Sequence, residues 1–148
     1  MLKEFNQGLR TQLLNMQSEN LNVLEELITN GELKTDDYHP KIEAIHLKNT
    51  ADIRAIIEQH GWPGMSLVGK DGAQAAWMLV LHAVQDLNFM SKCLNLMRRA
   101  VLQGEAERWC LAYLEDRVLL LTGKQQKYGT QFLVNAEGKT YPLNLREP

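Results

Sequence analysis

Residues 67–86 read LVGKDGAQAAWMLVLHAVQD. From Asp71 or Gly72 onward the stretch is apolar nearly all round. Ala73, Trp77, Leu81 and Val84 form one stripe, and Ala76, Met78, Leu79 and Val80 fill most of the rest. A helix without a polar face must be covered by other elements, so this stretch predicts a buried central helix running to about Asp86.

The flanking segments read as its cover. From Leu2 to about Ile28 the apolar residues fall at 2, 5, 9, 13, 16, 21, 24 and 27. Steps of three and four, with one of five, mark an amphipathic helix. Asn30-Gly31 stops it, because both residues take the left-handed cap conformation readily. Glu32 to Tyr38 is polar and loop-like. A helix restarts at Pro40, with Ile42 and Ile45 facing inward. Asn49 or Thr50 caps a further helix, Ala51 to His60, which Gly61-Trp62-Pro63-Gly64 closes.

On the other side, Asn88 caps a helix from Phe89 to Gln103, closed by Gly104. Another runs from about Glu105 to Leu120 and ends at Gly123. The period then changes to two: Phe132, Val134, Tyr141, Leu143 and Leu145 alternate around a turn at Asn135–Gly138. That predicts a β-hairpin over about 130–146, with Pro142 confining its strand to an edge. The expected fold is mainly α: five to six helices around a buried central helix, with a small C-terminal β-hairpin. At 148 residues this fits one domain, 1–148.

Charge removes several function classes. Sixteen Lys plus Arg stand against eighteen Asp plus Glu, for a net charge of -2. Phosphate-backbone binding needs a basic field that this balance does not supply, so no nucleic-acid partner is expected. Arg98-Arg99, with Lys92 and Arg108 nearby, reads as a solvated helix face. The longest unbroken apolar run, Ala75 to Leu81, is far short of a membrane span. MLKEFNQGLR has no apolar signal core, so a cytoplasmic location is expected. Cys93 and Cys110 match neither a metal-finger spacing nor a CxxC motif and read as reduced, buried thiols.

Several stretches carry a resemblance: IHLKN at 45–49, HGWPG at 60–64, the 67–86 segment itself, and LAYLEDRVLLLTGKQQKYGTQF at 111–132. Together the chain resembles a mostly bacterial family, the domain of unknown function 6624. Its pattern runs His-x-x-Asn, Gly-Trp-Pro, His-Ala-x-x-Asp, Asp-Arg and Gln-x-Tyr-Gly-Thr-Gln. The resemblance covers about positions 40–145 and implies no particular activity.

The polar residues that could carry chemistry are few. His82 and Asp86 are four apart on the expected central helix and would share a face. Such a pair can act as an oriented general base, with His82 as acid–base and Asp86 as its orienting partner. It can equally be a plain helical hydrogen bond. His46 and Asn49 are three apart, with Asn49 also suited to capping. Arg117 could anchor a carboxylate or phosphate, or pair structurally as Asp116 could. The loop Gln125–Gln131 offers Gln126, Tyr128 and Gln131, with Gly129 allowing close backbone approach. Loops on rigid scaffolds commonly hold function. The same side chains could instead knit the hairpin to the helices.

The leading expectation is a polar pocket for a small polar or anionic metabolite, with His82, Asp86 and Tyr128 as catalytic candidates. His46, Arg117, Gln126 and Gln131 are its ligand-binding candidates. No phosphate-loop, dinucleotide or nucleophile-elbow fingerprint names a cofactor or reaction, and no metal set is assigned. The alternative is a non-catalytic interaction module whose first helix, through Leu9 and Leu13, forms a homodimer or receives a protein partner. A metal-dependent hydrolase using His46, His82 and Asp86 is the third reading.

Overall fold

The computed structural model describes residues 4–32, 39–134 and 140–142. Five helices form among them: α1 (Gln7–Thr29), α2 (Pro40–His60), α3 (Met65–Leu81), α4 (Leu87–Leu102) and α5 (Arg108–Leu121). The protein is mainly helical, and α3 touches all four of the others.

α1 starts where Asn6 can cap it. The Asn6 side chain accepts from the Leu9 N–H at 3.0 Å, while its own N–H donates to the Leu67 carbonyl at 2.7 Å. The helix is thereby tied to the start of α3. Leu9, Leu13 and Met16 are buried in the chain's own core. Leu9 and Leu13, the two residues expected to serve a dimer or partner helix, are therefore engaged inside the molecule. The single step of five has a cause: Asn20 takes the inward position and is buried, and Leu21 turns outward. Asn30 ends the helix, donating its N–H to Glu26, and Gly31 follows at φ 70°.

α2 corrects the expectation of a sixth helix. Pro40 opens it, but it then runs unbroken to His60. No Gly or Pro interrupts the segment, and Thr50 does not act as a cap. Its hydroxyl donates back one turn to the His46 carbonyl at 2.7 Å, satisfying itself inside the helix. Asn49 and Thr50 are both buried, in the same helix as buried Ile53, Ile56 and Ile57.

α3 is the central helix, with Ala75, Ala76, Leu79 and Val80 among its buried residues. It departs from the expected span at both ends. A first turn at Met65–Val68 precedes a break at Gly69, where φ is 76° and ψ 168°. Glu105 satisfies that turn from across the fold. Its carboxylate accepts from the Ser66 N–H at 2.8 Å and from the Ser66 hydroxyl, and its carbonyl accepts from the Met65 N–H at 3.0 Å. This contact takes up the residue expected to open the last helix, which begins instead at Arg108. A Cβ at Gly64 would run into the Glu105 side chain.

The Gly69 conformation is one that only glycine occupies readily. Gly69→Ala is expected to cost about 2 kcal/mol, seen as a lower urea midpoint with an unchanged slope. A midpoint equal to wild type would show that the break tolerates a side chain.

The far end of α3 stops at Leu81 rather than Asp86. Asp86 instead caps α4, accepting from the Phe89 N–H at 3.0 Å. The cap is thus two residues earlier than the expected Asn88. Beside α3, Trp77, Trp109 and Tyr113 pack edge to face, with ring centroids 5.0–6.0 Å apart. Cys93 and Cys110 are free and buried, and burial pushes both thiols up to about 12.

Phe132–Val134 and Thr140–Pro142 pair antiparallel, with Leu133 opposite Tyr141. The turn expected at 135–138, and Leu143 and Leu145 that continue the alternation, lie outside the described residues. Among the described residues no helix is long and apolar enough to cross a membrane.

Candidate functional site

Asp116, on α5, is fully buried. It organises the loop that follows its helix. Its carboxylate accepts from the backbone N–H groups of Lys127 (2.6 Å), Tyr128 (3.0 Å) and Thr130 (3.1 Å), and from the Thr130 hydroxyl (2.8 Å). Burial alone would raise its pKa, but those four donors outweigh it and hold the carboxyl below its ordinary value. Gln126, also buried, works beside it. Its side-chain amide donates to the Gln131 carbonyl and accepts from the Gln131 N–H, both at 2.9 Å. The amide thus pairs with the backbone as a neighbouring strand would.

A chain of hydrogen bonds leads from this carboxylate to Arg117. The Thr130 hydroxyl accepts from the Gln131 side-chain amide at 3.0 Å. The Gln131 side-chain oxygen in turn accepts from Arg117 Nε at 3.0 Å. Arg117 Nη1 donates to the Leu81 carbonyl at 3.0 Å, closing the C-terminal end of α3. No Asp or Glu of the described residues forms an ion pair with Arg117. Nη2 has no acceptor among those residues. Burial without a paired carboxylate lowers the guanidinium's pKa.

His82 caps α3 beside this cation. Its ring stacks on that of His46, with centroids 4.8 Å apart and planes 24° from parallel. The amide nitrogen of Asn20 lies 3.2 Å from His82 Nδ1. Burial, then His46, then Arg117 push the His82 imidazole down to about 4. Burial and the Arg117 charge lower His46 as well. The imidazole of His82 is neutral near pH 7, next to a cation that no carboxylate of the described residues pairs with.

The expected pairing of His82 with Asp86 does not form. α3 ends before the second residue, so the two lie on different elements. Asp86 forms an ion pair with Arg54, whose guanidinium also sits 5.0 Å over the Phe89 ring. Asp86 therefore orients nothing at His82, and His46, His82 and Asp86 do not converge as a metal set. Tyr128 is held by its backbone N–H, and its half-exposed ring lies elsewhere. It lines a groove of about 470 Å³ with Val101, Arg108, Trp109, Leu111 and Ala112. The Lys127 ammonium stands 5.2 Å from that ring.

His46, His82, Arg117 and Gln131 are thus brought together, with Gln126 bracing Gln131 from behind. Asn20, Thr130 and the Leu81 carbonyl belong to the same assembly without having been expected there. Asn20 leaves one trace in the sequence, the step of five in the α1 stripe. The model of the family of unknown function DUF6624 matches residues 7–143. The chain belongs to that family. No curated protein and no solved structure matches it. In this DUF6624 chain the matched span holds every residue of the cluster, from Asn20 to Gln131.

Proposed function

We propose that the chain binds a small metabolite through a carboxylate or phosphate group at Arg117. The observation that carries this is the half-buried guanidinium whose Nε and one Nη1 hydrogen are fixed by neutral acceptors. Its Nη2 remains without an acceptor among the described residues. A cation oriented this way matches the planar fork geometry of an oxyanion. The Asp116–Thr130–Gln131 chain sets its orientation without a carboxylate that would compete with the ligand. The low pKa of His82 makes it a poor general base near neutral pH, so its part is to contact the ligand. Any chemistry on that ligand would fall to His46 or to the ligand itself.

The interaction-module reading loses its named surface, since Leu9 and Leu13 are core residues. The test is a thermal-shift panel of acetate, succinate, citrate, inorganic phosphate and glycerol phosphate. Sodium chloride at matched ionic strength is the control. A ligand that binds only the folded state raises the midpoint by mass action. At least one of these anions is expected to raise it in a saturable manner. Equal midpoints in every salt would count against the oxyanion reading.

A further inference from the structure

We infer that Asn20 holds His82 as the Nε2–H tautomer, so that the ring meets a bound oxyanion as a neutral hydrogen-bond donor. The inference deepens the oxyanion reading and rests on it for what the donor would contact.

Asn20 occupies a position on α1 that the apolar stripe would otherwise fill, and it is only 6% exposed. Its amide nitrogen faces His82 Nδ1 at 3.2 Å. An amide NH₂ can only donate, so Nδ1 must accept through its lone pair. A neutral imidazole accepting at Nδ1 carries its proton on Nε2. The groups around the ring leave this arrangement uncontested. From α1 comes a neutral amide, from α2 the His46 ring, and from α5 the Arg117 cation. No carboxylate among them would draw the proton to Nδ1 or stabilise an imidazolium. A carboxylate in the place of Asn20 would do both, and would make the ring a base.

The consequence is a site that presents donors. Arg117 supplies a charged fork and His82 a neutral N–H, so an ionised oxyanion is favoured over its neutral amide or ester counterpart. Asn20 acts only through His82 and is a positioning residue.

Two-bond proton–nitrogen correlation on histidine-labelled full-length protein at pH 7 reads the tautomer directly. The His82 signals are identified by their loss in His82→Gln. The proton is expected on Nε2 in wild type. In Asn20→Asp it is expected on Nδ1, with the ring's pKa raised by at least one unit. A wild-type ring protonated at Nδ1, or on both nitrogens, would overturn the inference, whether or not Asn20→Asp folds. So would a folded Asn20→Asp protein whose pattern matches wild type. Titrating succinate and phosphate into the labelled wild type separates the two readings. An Nε2–H ring whose signals neither anion moves upholds the role of Asn20 and removes the oxyanion reading.

Discussion

Asp116→Ala is expected to lose about 3 kcal/mol of folding stability, because it strips the acceptor from several buried donors together. Three backbone N–H groups and the Thr130 hydroxyl would lose their acceptor at once. A buried donor left unsatisfied costs about 1–3 kcal/mol, though a loop that swings out to water recovers part of that. Asp116→Asn should fall between the two, because the amide keeps one oxygen but turns an NH₂ toward the same donors. Urea unfolding of both variants measures the effect. A loss under about 1 kcal/mol in Asp116→Ala would mean the loop is held by other contacts.

The same carboxylate sets part of the acid sensitivity. Its folded pKa is depressed, so its contribution is complete above the unfolded carboxylate value. That contribution is lost as pH falls through the lower folded value. His82 acts in a higher window. The unfolded chain takes up its proton near 6.5 and the folded chain only near 4, so stability declines as pH falls between those values. Wild type should therefore weaken in two stages, and in Asp116→Asn the lower one should shrink but persist, because Asp71 and Glu107 are also held below their ordinary values. A single-stage profile in wild type would contradict the assignment.

The second large effect concerns Arg117. Arg117→Gln is expected to weaken any oxyanion found by the panel about a hundredfold, close to 3 kcal/mol. Arg117→Lys should recover only part of it, since a point charge replaces the two-pronged fork. Folding stability should change by much less, about 1 kcal/mol, because losing the contacts to Gln131 and Leu81 is offset by removing a buried, unpaired charge. The imidazoles report the change independently. Arg117 lowers both His46 and His82, so both should titrate at higher pH in Arg117→Gln. Calorimetric titration and histidine NMR measure these separately. Undiminished affinity in folded Arg117→Gln would place the anion elsewhere.

The fold was legible wherever local chemistry decides it. The α1 stripe, the Asn30-Gly31 stop, the Gly61–Gly64 break and the apolar α3 each follow from periodicity or from a residue with one permitted conformation. The errors fall where several local answers compete. Asn49-Thr50 looks like a cap, but Thr50 has a partner one turn back. Between Leu81 and Leu87 no Gly or Pro marks a break, so one helix and two helices read alike. The site was half legible for the same reason. Residue types singled out His46, His82, Arg117 and Gln131, whereas their proximity depends on how α2, α3 and α5 cross. Asp86 stands apart from His82 because α3 ends at Leu81, and the Tyr128 ring lines another groove because a loop's backbone can be held while its side chain faces another way.

The ring cluster of Trp77, Trp109 and Tyr113 gives the molecule a built-in optical gauge. Two of these rings sit on α5 and one on α3, the helices that also present Arg117 and His82. Rings locked edge to face give a near-ultraviolet dichroism band that vanishes when side-chain packing loosens, even while helices persist. An anion bridging His82 and Arg117 would clamp the same two helices together. Unlabelled protein can thus register tightening between α3 and α5 by light alone, separately from any measure of helix content.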